Sequence, residues 1–514
     1  MRKIKKLVIN ALLLTCTSLL LRTVGVSYNV YISNKIGAEA MGLFTLIGSV
    51  YSFAITLATS GIHIAATRLV SSALGKNDPG EAKAAMRKCF VYSLFFGGIS
   101  ALLLLIFAEP IGVNILKDGR TVRALKLFAL TLPLISMSSA MSGYFTSVRR
   151  VYKSAASQIF EQGVKMTLTV YALGLIIPDN IEAACTAIAA SGAAAEFCSF
   201  IFTYTEYFID KRKHIKAAEK KGDGGYLTRE LLSIALPTAF SSYARSGLST
   251  IEHILIPRGL EQSGASRERS LAAYGTLHSM VMPIVLFPSA IISSFSGLLV
   301  PELTECKVQK NDAQIEYIVC RVFQLSLLFS IGAAGLLIYF SGELGLVIYN
   351  STEAGRYIRS IAPLVPVMYM DTSTDAMLKG LGEQVYYMNV NIIDSALGVL
   401  LSLILLPPFG ISGYISMIFI CETVNAALSI SRLLTVANFK PNIFRIVLGP
   451  LLCIGGACSA TRLMSLVFRF PHPSYAAGLL LCIILTSAIY FVFARLTGCV
   501  SSDDVKWLLN IFKK

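Results

Sequence analysis

The chain has 514 residues, of which 54% are hydrophobic and 15% charged. Soluble domains carry about 25% charged residues, so this composition excludes a soluble globular protein and indicates a helical protein threaded repeatedly through a membrane. The net charge of +15 raises nucleic-acid binding, but the placement of that charge argues against it.

Apolar windows of membrane-crossing length fall at 7–32, 42–72, 89–108, 125–147, 155–177, 182–207, 230–255, 272–299, 316–340, 359–381, 387–408, 411–435, 443–465 and 473–494. Fourteen spans are therefore expected. The first begins after MRKIKK and could pass for a signal peptide. It is too long for one, lacks a small-residue cleavage site, and contains Arg22 and Asn29. Counting each cation with its nearer membrane face puts 29 Lys/Arg on one side, 12 on the other and four inside spans. The positive-inside rule then places both termini in the cytoplasm. Much of the net charge faces anionic headgroups.

Four matches at nearly one offset indicate an internal duplication. PLISM (133–137) pairs with PVMYM (366–370), and QIFE (158–161) with NIID (391–394), both at an offset of 233. Val151-Tyr152 pairs with Val385-Tyr386, and the KND at 76–78 with the KND at 310–312, both at an offset of 234. Spans 1–6 and 7–12 thus form two related lobes. Six is even, so both lobes enter the membrane in one direction and are related by an axis along its normal. Transporters bind cargo between such repeats. The organisation expected is an N-lobe at 1–207, a basic cytoplasmic linker at 208–229, a C-lobe at 230–440, spans 13 and 14 at 441–497 and an interfacial tail helix at 498–514.

The candidate site residues are charges inside spans. A cation at mid-membrane costs roughly 3 kcal/mol on insertion scales unless it meets water or a counter-charge. Arg22 in span 1 is too deep to snorkel and is expected to line a cavity. Arg68 in span 2 lies near the cytoplasmic end, where snorkelling serves as well. Glu161 and Lys165 are four apart on span 5 and can share a face. They either neutralise each other or face a cavity. Arg245 and Glu252 share a face of span 7, Asp371 and Asp375 one of span 10, and Asn391 and Asp394 lie on span 11. Glu196 and Glu422 sit in spans 6 and 12. Cations concentrate toward the N-lobe and carboxyls toward the C-lobe, so an anion site is expected in the first and a cation or proton site in the second. Interhelical hydrogen bonding alone also accounts for the three aspartates. Eleven cysteines are scattered without CxxC, five histidines lack ligand spacing, and no P-loop, dinucleotide fingerprint or nucleophile elbow occurs.

The segments LRTVGVSYNVYISNKIGAEAMGLFTL (21–46), SGIHIAATRLVSS (60–72), SQIFEQGVK (157–165), ALPTAFSSYARSGLSTIEHILIPRGL (235–260), YGTLHSMVMPIVLFPSAIISSFSGLLVPELTE (274–305) and MLKGLGEQ (377–384) resemble the multidrug/oligosaccharidyl-lipid/polysaccharide exporter superfamily. Within it they resemble the polysaccharide-exporter branch and its stage V sporulation protein B group. The resemblance implies alternating access by two lobes and a saccharide on a polyprenyl phosphate, such as a peptidoglycan precursor, as cargo in a bacterial cytoplasmic membrane. It implies no enzymatic activity and no cofactor, sodium or a proton as coupling ion, and cell-wall synthesis proteins as partners. Arg22 matches the first cavity arginine of related peptidoglycan-precursor flippases, whereas Tyr28 stands where they carry the second. Those flippases hold the lipid tail with spans 13 and 14. Their sodium site makes Glu252, Asn391 and Asp394 the nearest candidates here. Two alternatives stand beside this reading. One is a cation-coupled multidrug exporter, which Arg22, Lys165 and Arg245 disfavour. The other is a membrane enzyme acting on lipid-linked saccharides, which the short external loops disfavour.

Overall fold

A computed structural model describes residues 2–76, 78–175, 180–214, 224–437, 444–468 and 475–500. Residues 215–223 of the linker, Asn77 of the KND repeat and residues 501–514 of the tail helix expected over 498–514 lie outside the described residues. The helices in chain order are α1 (Arg2–Thr59), α2 (Ile62–Gly75), α3 (Pro79–Pro110), α4 (Val122–Ala129), α5 (Leu132–Ser147), α6 (Val151–Leu175), α7 (Ile181–His214), α8 (Gly224–Gln262) and α9 (Arg267–Gly275). They continue as α10 (Met282–Leu286), α11 (Ser289–Val308), α12 (Asp312–Tyr339), α13 (Ser341–Tyr349), α14 (Thr352–Ile361), α15 (Val365–Gly380), α16 (Gln384–Ala437), α17 (Gly449–Phe468) and α18 (Ala476–Leu496). No strand occurs among the described residues.

Two of these helices are hairpins. A Gly37 in the left-handed region (φ 80°) breaks α1, and Asn29 and Thr45 on its two arms line one cavity. Gly410 (φ 54°) breaks α16. There the two ends meet: Arg432 pairs with Glu383 at 2.9 Å, and the Tyr386 hydroxyl donates to the Leu428 carbonyl at 3.2 Å. Only glycine adopts such dihedrals without strain.

Among the described residues, seven helices are long and apolar enough to cross a membrane, or nine if each bent pair, broken by 45° before Leu132 and by 55° before Ser289, counts as one span. Apolarity alone therefore does not return the fourteen spans expected. The hairpins α1–α2 and α16 are each counted once. Three expected spans, α6, α8 and the α14–α15 pair, fall short because they are too polar. These three carry Glu161, Lys165, Arg245, Glu252, Asp371 and Asp375.

The duplication is visible in element boundaries. Helices α2 and α11 end at Gly75 and Val308, which keeps the offset of 233. Helices α5 and α15 both start and end at that same offset. Asp78 and Asn311 cap α3 and α12 by accepting from the amides of Glu81 and Gln314 at 2.9 and 3.1 Å, so the cap positions keep the offset of 233, one residue short of the offset at which the two KND triplets match. The lobes meet across a reciprocal contact. A Cβ on Gly42 would strike the Leu271 carbonyl, and one on Gly275 would strike the Ala38 carbonyl. Gly42 and Gly275 are counterparts at the same offset, as are Ala38 and Leu271. Residue i touching j while j's counterpart touches i's is the signature of a twofold axis.

The apolar core shows where the lobes join. One large cluster runs through both, including Leu43, Ile47, Leu125, Leu271, Tyr274, Ile361 and Tyr369. At the opposite end the core splits. One cluster holds Ile62, Met86 and Tyr144 of the N-lobe with the first turns of α8. A separate one holds Leu303, Val319 and Leu378 of the C-lobe. The fused end also carries an ionic network. Arg120 pairs with Asp118 and Glu39 at 2.8 and 3.0 Å. From the other lobe, Arg267 pairs with Glu261 and donates to the Leu116 carbonyl, both at 2.5 Å. Arg258 donates to the Ile115 carbonyl. These carbonyls end the π-helical turn Ile111–Ile115, where intrahelical partners run out and guanidinium groups substitute. The lobes are closed at the Glu39 end and parted toward the Lys76 end.

Replacing Gly275 by Leu drives a side chain into the Ala38 carbonyl. Overpacking of this kind costs about 1–3 kcal/mol, so Gly275→Leu is expected to lower the thermal unfolding midpoint in detergent by several degrees. Gly25→Leu, which meets open space, leaves it unchanged. Equal midpoints for the two variants would contradict the close approach of the lobes.

Candidate substrate cavity

Between the parted lobes lies a cavity of about 1010 Å³, walled by α1, α2, α8, the α9–α10 turn and α16. Its walls are two stripes at helical spacing. On α1 the stripe is Thr45, Ser49, Ser52, Thr56 and Thr59. On α8 it is Thr238, Ser242, Arg245, Ser249 and His253. Steps of three and four keep each stripe on one face. Thirteen of the 26 lining residues are serine or threonine, none is aspartate or glutamate, and Arg245 is the one lysine or arginine. Several hydroxyls are already committed as donors. Thr45, Thr56 and Thr59 donate to carbonyls four residues back at 2.7, 2.9 and 2.9 Å. Their oxygens therefore face the cavity chiefly as acceptors.

Exposure rises from the Glu39 end toward the Lys76 end. Ser52, His63, Ser242 and Arg245 are exposed, whereas His253 and His278 are half-buried and Ser279 is buried. Arg245 Nη1 lies 3.5 Å from Asn391 Oδ1. Asn391 Nδ2 donates to the Tyr387 carbonyl at 2.9 Å. Asn391 thus belongs to the cavity wall and is not gathered with Glu252 and Asp394 into one ligand set.

Arg22 does not line the cavity in this conformation. Its Nη2 donates to the Leu286 carbonyl at 2.5 Å and to Ser289 Oγ at 3.2 Å, both in the other lobe. The helix is interrupted between Leu286 and Ser289, at Phe287 and Pro288. The Leu286 carbonyl, freed from its own ladder, takes its donors from Arg22 and from Ser289 Oγ at 2.8 Å. The expected cavity arginine is a strut across the lobe seam. Arg68 is exposed on α2 and is likewise absent from the cavity wall.

Lys165 sits inside the N-lobe, with its Nζ 5.4 Å from the centre of the Tyr28 ring, a cation–π arrangement. Glu161 and Glu196 are its charged neighbours. The Tyr28 hydroxyl is 2.9 Å from Thr169 Oγ1. None of Tyr28, Glu161, Lys165 and Glu196 lines the central cavity.

The C-lobe interior gathers carboxyls. Glu252 and Asp394 are neighbours, Asp371 lies beside Asp375, and Glu422 senses Asp371, Asp394 and Glu252. The Glu252 carboxylate rests where a side chain on Gly398 would be, and Gly398 is the counterpart of Lys165 in the repeat. The N-lobe holds an ammonium where the C-lobe leaves room for a carboxylate. Asn425 Nδ2 donates to Asp371 Oδ2 at 3.1 Å. Asp371 Oδ1, Asp375 Oδ1, Asp394 Oδ1 and Asn425 Oδ1 are buried without hydrogen-bond partners. Orphaned oxygens of this kind are costly unless a proton or cation satisfies them. Among the described residues no three His, Cys, Asp or Glu side chains converge to hold a metal ion.

The hydroxyl stripes and the histidines His253 and His278 were not anticipated from the sequence. The signal was present as Ser/Thr recurring every three or four residues over 45–59 and 238–250, inside windows otherwise judged only for apolarity.

Comparison with known proteins agrees with this architecture. The stage V sporulation protein B of Bacillus subtilis (strain 168) is 26% identical over 96% of both chains. The lipid II flippase MurJ of the same organism is 23% identical over 78% of this chain and 77% of its own. Among solved structures, the lipid II flippase MurJ in an inward closed conformation superposes with a TM-score of 0.69 at 12% identity, over 94% of this chain and 98% of that one. An inward-facing multidrug resistance MATE transporter of the MOP superfamily superposes with a TM-score of 0.63 at 14% identity, over 82% and 96%. The two solved structures share the fold. The family described as polysaccharide biosynthesis protein matches residues 7–307, more than half of the chain, and the chain belongs to it.

Proposed function

We propose that the protein flips a saccharide carried on a polyprenyl phosphate across a bacterial cytoplasmic membrane, for spore or cell-wall polymer synthesis. The observation that carries this reading is the chemistry of the cavity wall. Thirteen hydroxyl side chains and one guanidinium, with no carboxylate, suit a neutral polyhydroxyl cargo bearing one anionic group. Hydroxyl oxygens whose protons point back into their own helices accept from sugar hydroxyls. Arg245 meets a phosphoryl oxygen with a fork of donors. A cationic drug would find no carboxylate there. Similarity to a lipid II flippase over most of the chain supports a lipid-linked cargo, and similarity to a sporulation protein supports the spore context.

In this reading the Lys76 end is cytoplasmic, by the excess of lysine and arginine there, and the structure is the inward-open state. Cargo enters between the lobes. Closure of the Lys76 end and rupture of the Arg120, Arg258 and Arg267 network at the Glu39 end would release it outside. The carboxyl-rich C-lobe interior is the coupling site, with Glu252, Asp371, Asp375 and Asp394 taking a proton or sodium. Asn391 belongs with Arg245 at the cargo site.

Two measurements test this. In proteoliposomes loaded with a fluorescent undecaprenyl-pyrophosphoryl saccharide, Arg245→Ala is expected to reduce translocation at least ten-fold, about 1.4 kcal/mol or more of lost interaction. Full activity of Arg245→Ala at normal expression would refute the cargo site. The second measurement imposes sodium or proton gradients on Asp394→Asn. The wild type is expected to respond to one gradient and the variant to neither. Normal gradient-driven transport by Asp394→Asn would reduce Asp394 to a packing residue.

A further inference from the structure

The closed end of the cavity differs from the rest of its wall. His253 on α8 and His278 on the α9–α10 turn stand together there, with ring centroids 4.6 Å apart and planes at 73°. Tyr274 backs both. Its hydroxyl is 3.0 Å from His253 Nδ1, and its ring lies nearly parallel to His278, 5.6 Å away. Tyr274 is fully buried, so the trio has a rigid back. His278 lies in a six-residue π-helical stretch, Thr276–Val281, a distortion that re-aims side chains and recurs at functional sites. Beside it the Ser279 hydroxyl meets Thr45 from the other lobe. Both histidines line the cavity. His253 Nδ1 is taken by Tyr274, which leaves Nε2 for a ligand.

Arg245 and His253 share one face of α8. Eight residues at 1.5 Å each separate them by about 12 Å along the helix. One end of the cavity thus offers a guanidinium, and the other offers two imidazoles, a threonine hydroxyl and no charged side chain. We propose that the His253–His278 end is a saccharide subsite, which reads the sugar next to the phosphoryl group while Arg245 holds the phosphoryl oxygens. This rests on the flippase reading and adds to it a place where glycosylated and bare lipids are told apart. Imidazoles each present a nitrogen that can donate or accept, so they match sugar hydroxyls in either sense. A site built to hydrogen-bond hydroxyls also rejects a ligand that lacks them, because its polar groups are then left without partners.

The test compares two probes on the full-length protein in lipid nanodiscs: undecaprenyl pyrophosphate, and the same lipid bearing a disaccharide. The wild type is expected to bind the glycosylated lipid at least ten-fold more tightly. The double variant His253→Phe/His278→Phe is expected to bind both equally and to keep the wild-type affinity for the bare pyrophosphate. Arg245→Ala is expected to lose affinity for both in parallel. Thr45→Val, which removes one hydroxyl from the same floor and leaves the histidine–tyrosine packing alone, is expected to narrow the preference. It serves where the phenylalanine pair does not fold. Retention of the full preference by either variant overturns the subsite and leaves the flippase reading standing. A wild type that binds neither lipid overturns the flippase reading itself.

Discussion

Backbone contact between the lobes at Gly42 and Gly275 is the constraint on which the rest of the structure depends. Two helices approach so closely only where neither has a side chain, and these two positions are counterparts in the repeat. The contact sets the lobe seam at the Glu39 end. From there both lobes contribute to a single apolar core, and Arg120, Arg258 and Arg267 bind the neighbouring carboxylates and helix-end carbonyls. Toward the Lys76 end the core divides, one part in the N-lobe with the first turns of α8 and the other in the C-lobe, and the gap between the lobes is the cavity.

Polar chemistry inside the membrane is divided by lobe and by surface. Where a wall faces the cavity, it uses hydroxyls, histidines and Arg245. The carboxyls sit within the lobes, Glu161 and Glu196 beside Lys165 in the N-lobe and Glu252, Asp371, Asp375, Asp394 and Glu422 in the C-lobe. The N-lobe closes its own polar centre with Lys165, whereas the C-lobe leaves several carboxylate and amide oxygens unsatisfied. The asymmetry lies between repeats whose α5 and α15 share both boundaries at one offset. The wall of the central cavity is free of carboxylates, and the C-lobe carboxyls lie outside it. Arg22 belongs to neither. It spans the seam by supplying a donor to a carbonyl released at the Phe287–Pro288 break, and so ties the first helix of one lobe to the broken helix of the other.

A polar stripe on a membrane helix has a cost that explains where length-and-apolarity reasoning stops. Helices α6 and α8 and the α14–α15 pair are the spans that fall short of the apolar threshold, and each carries charges or hydroxyls facing a protein interior. Mean hydropathy averages all faces of a helix, so inward polar side chains lower it even where the outward face is apolar, as at Ile159, Phe160 and Val170 of α6 and Leu236 and Phe240 of α8. The same reasoning explains why spans 1 and 2, and spans 11 and 12, pass as single long helices: a glycine reversal leaves hydropathy unchanged.

From its sequence alone this chain was legible as a helical membrane protein duplicated at one constant offset, because apolar windows and short repeats are local patterns. Residue type also placed charges within spans, which singled out Arg245 and the C-lobe carboxyls as unusual. Only the tertiary structure decided which of those charges share a space. Arg22 turned to a carbonyl of the opposite lobe, Asn391 turned toward Arg245 instead of Asp394, and His253 met His278 through a π-helical turn. Each outcome depends on where a helix breaks and which face it then presents, and a break of one residue rotates every later side chain. Periodicity within a helix is written in the sequence. The angle at which two helices meet is set by packing between segments far apart in the chain, and the cavity exists only in that angle.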